Sequence, residues 1–538
     1  MNKPTLSFAT PDSAEPAWLT AARDALEHAP NPNAARRLAD NALAVTTPQI
    51  RAALAACPED AIAAVFRALC GVAPFFASAL VRNPSWLPAL AAENYSKPRA
   101  RATLLADLDA ALETVRSRDP SQTGAAIRVL REFKYYELAR ITVRDCSPEW
   151  LPLPESAETL SELSLLADAL LDRALAIAVE AIAAQIGPAK WASVEASNPD
   201  IELGFCVLGL GKLGSRELNY SSDVDLVYVF ESPEGPVFQS EFDPEFDREL
   251  DSDPQRGSAV APVEYFTRLG QKFGAIVAET TAHGFLYRID LDLRPEGSQG
   301  GLVISDNALE TYYEAFADTW EKAAFMKARP VAGDLDLGWR TIRAVDPMIF
   351  RSSMDYAAVE SIRTLKAKIE AAHGHSDSGF NVKIDSGGIR DIEFIAQSMQ
   401  LLHGGRIPQV RDPSTQGALE RLAGAEVLPP TAVDGLLDSY RFLRRLENRL
   451  QMEAERQTHV VGTRPAQRTR IARAMGYRGP NSAEEFDLDL GVHRAEVVSF
   501  FESFVGGGDD ERIFELFSRN VPSLVALDTS RRLIRQLS

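Results

Sequence analysis

Two aspartates one residue apart, Asp223 and Asp225, stand at the front of the run "SSDVDLVYVF", and the residues behind them are the types a buried strand uses. Ionised carboxylates in such a place need a positive partner. Side chains alternate along a strand, so Asp223 and Asp225 share one face while Val224, Leu226 and Tyr228 share the other. In "YRIDLDLRP" the same count predicts a strand with Arg288, Asp290, Asp292 and Arg294 on one face and Ile289, Leu291 and Leu293 behind. Three or four carboxylates on faces that can meet make an oxygen donor set for a hard cation such as Mg²⁺. Two such ions about 3.5–4 Å apart can stabilise the attacking and leaving oxygens of an in-line displacement.

A glycine turn precedes the aspartates. "GLGKLGS" places Gly209, Gly211 and Gly214, with Lys212 and Ser215, after a first strand read in "IELGFCVLGLG". Glycine lets backbone amides come close to a phosphate. The turn is no Walker A loop, because the Lys lacks the following Ser/Thr at the right spacing. It is no dinucleotide fingerprint, because a strand with paired acids follows instead of a long helix. A glycine turn, then Ser222-Asp223-Val224-Asp225, then a distant third Asp is the pattern of the polymerase-β-like nucleotidyltransferases. Each part also has a plainer reading. Turn glycines are common, an Asp-x-Asp can be a solvated strand end, and Arg288 and Arg294 can be ion-paired with Asp290 and Asp292. Lys212 can reach a phosphate or simply be solvated.

The elements that would hold these residues form a small α/β unit inside a helical protein. Residues 1 to about 200 carry apolar residues at three-to-four spacing, as in "TLSELSLLADALLDRALAIAVEAIAAQIG". A helix is expected over "VEYFTRLGQKFGAIVAET", a third strand over "GFLYRIDLDLRP", and helix again over "NALETYYEAFADTWEKAAFMKARPV", "GIRDIEFIAQSMQLLHGG" and "LLDSYRFLRRLENRLQMEAERQ". Between Glu231 and Pro262 lies a loop, within which "ESPEGPVFQSEFDPEFDRELDSD" holds nine acids against one arginine and reads as solvated. The expected class is α+β, predominantly helical. The expected domains are an N-terminal helical region (1–115), a nucleotidyltransferase domain (116–335, core 201–305), a helical bundle (336–505), and a linker with the start of a further helical segment (506–538).

Composition narrows the partners. The 538-residue chain has a net charge of −19, which argues against long contacts to a phosphate backbone, so no nucleic-acid partner is expected. Its apolar runs are all broken by charges, so no membrane span is expected. "MNKPTLSFATPDSAEP" lacks the apolar core of a signal peptide, and four scattered cysteines without metal-ligand spacing read as reduced thiols. A cytoplasmic protein is expected. The seven histidines form no ligand set.

"GLGKLGSRELNYSSDVDLVYVF", "YRIDLDLRPEGSQGGLVIS", "WEKAAFMKARPVAGD", "GGIRDIEFIAQ" and "FLRRLENRLQ", in that order from about residue 60 to residue 460, resemble the glutamine synthetase adenylyltransferase/adenylyl-removing enzymes. That bifunctional family has two homologous halves, each a nucleotidyltransferase domain followed by a helical bundle. One half attaches AMP from ATP to a tyrosine of glutamine synthetase; the other removes it with phosphate, giving ADP. The resemblance implies that Asp223, Asp225 and Asp290 are the catalytic, metal-binding carboxylates, for two Mg²⁺ ions. It implies that Gly209, Gly211, Lys212, Gly214, Ser215, Ser222 and Arg294 attend the nucleotide and phosphate. "ELNYSSDVDL" is most like the N-terminal, adenylyl-removing half. Asp292 stands where the family has an arginine, in Asp-x-Arg-Leu-Arg-Pro. One core is present, so the chain is either a fragment of the two-core enzyme or a single-core relative.

Supporting residues are read two ways. Gly387 and Gly388 open a helix whose amides can favour an anion, with Arg390 and Glu393 on one face, or they simply cap it. Lys327 and Arg329 are phosphate or substrate contacts, or a solvated helix face. The stripe Arg441, Arg444, Arg445, Arg449 with Glu447 reads as bundle-surface charge. The function expected is AMP transfer on glutamine synthetase, with ATP, ADP and phosphate as substrates or products and a PII-type nitrogen-signalling protein as a further partner. The alternatives are uridylylation of such a signalling protein and a non-catalytic nucleotide- or effector-binding half.

Overall fold

A computed structural model describes residues 16–117, 123–147, 156–193, 201–232, 237–239, 260–350, 379–453 and 457–505. The protein is mostly helical, with a small mixed sheet in the middle of the chain. Five strands form that sheet: β1 (Phe205–Gly209), β2 (Val224–Phe230), β3 (Ile289–Asp290), β4 (Val303–Ser305) and β5 (Arg329–Gly333). Their order is β3-β2-β1-β5, with β4 also beside β2. β1 runs antiparallel to both β2 and β5, while β3 and β4 run parallel to β2. β3 lies beside the start of β2 and β4 beside its end, so one edge of β2 is shared between two short strands.

Alternation along β2 works as expected because both faces of the sheet are covered. Val224, Leu226, Tyr228 and Phe230 join one cluster, and Val227 and Val229 join another. Helices Ser156–Ile186 and Pro262–Ala278 cover the first face; Asp306–Ala315 and Leu335–Ile349 cover the second. The helix Ser156–Ile186 buries Leu163, Leu166, Ala167, Leu170, Leu171, Ala174 and Ala178, the seam its three-to-four spacing prescribes. The first cluster begins at Trp18 and runs without a break to Val331 and Ala332 of β5. A separate core, from Phe380 to Phe501, holds the C-terminal helices together. The acidic stretch after Ser232, His373, His375 and the chain beyond Val505 lie largely or wholly outside the described residues. No single described helix is long and apolar enough to cross a membrane.

Three expectations fail. Val237–Gln239, inside the expected loop after Glu231, is a strand paired with Lys190–Ser193. "KARPV" is not the end of a helix: Arg329–Gly333 is β5, because helix Thr319–Phe325 stops and the chain pairs with β1. The third strand is also shorter than alternation suggested. It ends at Asp290, whose Oδ1 accepts from the Asp292 backbone N–H at 2.8 Å, closing a local turn. Asp292 is therefore exposed and off the strand, not in line with Asp290.

Gly214 shows how tightly the glycine turn is packed. A Cβ there would meet the Lys327 carbonyl oxygen at 2.0 Å and that of Gly209 at 2.6 Å. Both are backbone atoms held by the sheet and cannot step aside. Gly214→Ala is expected to cost roughly 2–4 kcal/mol in urea unfolding. Gly124→Ala, where no atom lies within 4 Å of the added carbon, should be neutral or slightly stabilising.

Candidate active site

The register of β2 and β3 places Asp225 directly opposite Asp290. Burial and the facing Asp290 push the Asp225 carboxyl up to about 6. Lys383, Lys212 and Asp223 also act on it, so it lies in a strongly charged setting. Gly211, with φ +52, is required beside it: a Cβ there would fall 2.1 Å from Asp225 Oδ2. The glycine turn and the carboxylates are thus in contact. The Leu210 N–H ties them further by donating to the Asp225 carbonyl at 2.9 Å.

Asp223 is held differently. Arg288 Nε donates to its Oδ1 at 2.6 Å, and Gln457 Nε2 donates to its Oδ2 at 3.0 Å. Arg288 also bonds the Ser221 carbonyl. Ser222 accepts from the Asn219 N–H, and Ser215 donates to the Gly211 and Lys212 carbonyls. These hydroxyls shape the turn. Arg294 donates to the carbonyls of Leu291 and Gly301, bracing the loop between β3 and β4.

The helix Pro430–Met452 closes the other side. Lys212 Nζ donates to Glu447 Oε1 at 2.8 Å, Arg444 holds Glu447 Oε2 at 3.1 Å, and His459 Nδ1 lies 3.0 Å from Oε1. Burial alone would raise the Glu447 carboxyl, but Lys212 and Arg444 outweigh it and hold it well below the usual range. The Lys212 ammonium is pushed down to about 8, mainly by burial. Lys327 Nζ lies 3.7 Å from Glu393, whose carboxyl is also low because Lys327, Arg444, Lys212 and Lys383 overcome its burial. Four cations and two carboxylates therefore form a wall beside the Asp225–Asp290 pair.

Several readings of the sequence are corrected here. Lys327 and Arg329 are not a solvated helix face; both are buried. Arg329 grips Asp168 with two bonds of 2.7 and 2.8 Å and donates to the Leu213 and Gly214 carbonyls, so its donors are committed to holding the glycine turn. The stripe with Glu447 is not surface charge: Arg444, Glu447 and Arg449 are buried against the sheet domain. The helix start at Gly387-Gly388 offers no anion site. The N–H groups of Gly387, Gly388, Ile389 and Arg390 go to Asp391 Oδ2 and to the carbonyls of Asp385, Val382 and Lys383. Arg390 reaches back to the Ile384 carbonyl.

Lys383, Gln457 and His459 were not legible as site residues. No spacing links them to Asp223 or Asp225; the fold alone brings them there. Among the described residues no group of three or more His, Cys, Asp or Glu side chains is arranged to hold a metal ion. Asp225 and Asp290 nonetheless suit one, since their carboxylates face each other and, among the described residues, neither has an ion pair. Asp223 would join them through Oδ2 by exchanging its Gln457 contact, with Arg288 still on Oδ1.

Two outcomes follow. The ordinary value for Asp225 is 3.8, so its raised value favours the folded chain when protonated, and its contribution to stability grows as pH falls from about 7 to about 4. Asp225→Asn should thus stabilise the metal-free protein by roughly 1–3 kcal/mol at neutral pH, a gain that shrinks towards acid pH in denaturant titrations. Glu447→Gln should do the opposite. It leaves Lys212 and Arg444 buried without their shared carboxylate and is expected to lower stability by about 3–5 kcal/mol.

Comparison with known proteins agrees with this geometry. The family model described as glutamate-ammonia ligase adenylyltransferase matches residues 63–344, and one described as GlnD PII-uridylyltransferase matches residues 362–505. A bifunctional glutamine synthetase adenylyltransferase/adenylyl-removing enzyme of Thioalkalivibrio sulfidiphilus is 35% identical over 454 residues, covering 83% of this chain and 43% of that protein. Proteins of the same name from Nitrosococcus oceani and Mesorhizobium japonicum are 38% identical over 375 residues (70% of this chain, 36% of that protein) and 36% identical over 422 residues (78% and 39%). The chain spans less than half the length of these relatives. The first model match takes in the whole sheet, the glycine turn and all three aspartates, more than half of the sequence, and the chain belongs to the glutamate-ammonia ligase adenylyltransferase family.

Proposed function

We propose that this chain is a nucleotidyltransferase that removes AMP from a tyrosine of glutamine synthetase by phosphorolysis, in the control of nitrogen assimilation. The observation that carries the proposal is the Asp225–Asp290 pair, in register and without an ion pair of its own among the described residues, beside a wall of cations. An oxygen of inorganic phosphate bonds to the AMP phosphorus as the tyrosine oxygen leaves with its electron pair. The products are ADP and, once that oxygen takes a proton, free tyrosine. Attachment of AMP from ATP is a displacement at the same phosphorus, with pyrophosphate leaving, so one frame serves either direction. Mg²⁺ ions, when bound, neutralise charge on the phosphoryl oxygens.

This chain's residues divide the remaining work. Asp225 and Asp290 would hold the cation, with Asp223, oriented by Arg288, beside them. Lys383 and Lys212 lie close enough to influence Asp225 electrostatically and supply positive charge for the attacking phosphate. The glycine turn, fixed by Arg329, lets the nucleotide phosphates approach the backbone. A polymerase-β-like core, domains divided near residues 115, 335 and 505, and a cytoplasmic setting belong to the same proposal. The four unpaired cysteines agree with that setting. The match of residues 362–505 to a uridylyltransferase model favours a second role for the bundle, contact with a PII-type signalling protein.

The test is to incubate the chain with adenylylated glutamine synthetase, Mg²⁺ and phosphate, and to measure ADP. Phosphate-dependent ADP is expected, with slow or no labelling of unmodified glutamine synthetase by ATP. Attachment without phosphorolysis would reverse the direction, and labelling of a PII-type protein from UTP would replace the substrate. Asp225→Asn and Asp290→Asn should each lower turnover at least ~10³-fold. Asp292→Asn, exposed and off the strand, should stay within roughly tenfold of the parent.

A further inference from the structure

A second cavity lies away from the carboxylates, between the N-terminal helices and the C-terminal bundle. It has a volume of about 680 Å³, within the range of small-molecule sites. Its walls come from helix Ala17–Asp24 and the residues after it, the stretch around Ala63–Val72, the end of helix Thr123–Asp145, helix Pro430–Met452, and the turn at Arg473–Arg478. Much of the lining is small or apolar, with Ala21, Ala25, Ala63 and Val72 on one side and Phe442 on the other.

Its charge is unlike that of the chain. In a protein of net charge −19, five arginines line this cavity against two aspartates, Asp24 and Asp145. Asp145 is already held by Arg449, which also donates to the Asp145 carbonyl at 2.8 Å. Arg478 donates to the carbonyls of Arg473 and Tyr477. Arg445 and Arg473 are different. Both are partly buried at the cavity wall, and among the described residues neither guanidinium has a hydrogen bond or an ion pair. Burial and the neighbouring Arg449 weaken the charged form of Arg445, and Asp145 and Tyr477 offset them only in part. Cations gathered in a partly desolvated cavity repel one another, and an oxyanion would relieve that repulsion. A guanidinium fork binds a carboxylate or phosphate through two parallel hydrogen bonds.

We infer that this cavity is a binding site for a small oxyanion-bearing metabolite, held by Arg445 and Arg473 with its remaining body against the alanine-lined wall. The apolar lining favours a short carboxylic acid over free phosphate. The site also has a route to the catalytic end. Phe442, Arg445 and Arg449 face the cavity from helix Pro430–Met452, while Arg444 and Glu447, one and two residues from Arg445, face the glycine turn. A ligand that draws on Arg445 therefore acts on the helix that holds Lys212.

Calorimetric titration of the full chain with succinate, citrate and phosphate tests this. Succinate or citrate should bind. Arg445→Gln/Arg473→Gln should weaken that binding at least tenfold while leaving the unliganded melting temperature unchanged or higher. Ala25→Phe, which fills the cavity from the opposite wall, should also weaken it. Because phosphate can also bind near Asp225 through Lys383, its titration is repeated on Lys383→Gln. Phosphate binding lost there but kept in Arg445→Gln/Arg473→Gln assigns it to the catalytic end. Phosphate as the only anion bound through Arg445 and Arg473 would overturn the carboxylate assignment. No binding of any of the three anions up to ~10 mM, or binding indifferent to both cavity variants, would overturn the site itself.

Discussion

A carboxylate with no exposure to solvent, Glu447, is shared between Lys212 of the glycine turn and Arg444 of its own helix, with His459 against the same oxygen as Lys212. Ions taken out of water are tolerated only where each has its partner. Lys212 and Glu447 are 235 residues apart in sequence, so Lys212 lacks this carboxylate, and Glu447 has only Arg444 and His459 from its own side, until the sheet and the bundle are docked. That requirement fixes where helix Pro430–Met452 sits. Its other contacts follow from the same docking: Gln451 accepting from the Ser221 N–H, and Arg449 gripping Asp145.

The same docking completes the site. Lys383, Gln457 and His459 all come from the bundle side, and they reach Asp225, Asp223 and Glu447 only because the helix is seated. The sheet contributes the complementary part. Arg329, buried with Asp168, holds the carbonyls of Leu213 and Gly214, and so sets the turn against Asp225. Negative charge is concentrated on the strands and positive charge on the wall facing them.

One helix serves two surfaces. Residues 444, 447 and 451 face the glycine turn and the segment after it, at Glu217, Lys212 and Ser221, and residues 442, 445 and 449 face the arginine-lined cavity, as the three-to-four spacing of a helix requires. A rigid element with charged groups on two adjacent faces can connect events at both. The chain thus places the arginine-lined cavity next to the element that holds Lys212.

The local pattern by itself determined the strand β2, the glycine turn before it and the main helices, because periodicity two and three-to-four are set by neighbours in the chain. It also pointed to Asp290, through the motif that Asp290 shares with the family. Period-two counting carried that strand too far. Whether a strand continues depends on a partner, and the Asp290 side chain closes a turn instead. Arg329, Arg444 and Glu447 read as solvated charge, since nothing local distinguishes a charged residue on a surface from one buried with a distant partner. Lys383 and Gln457 were invisible for the same reason. Tertiary structure alone decided which charges meet, because a buried ion pair is specified by the docking of two surfaces and leaves no spacing in the sequence.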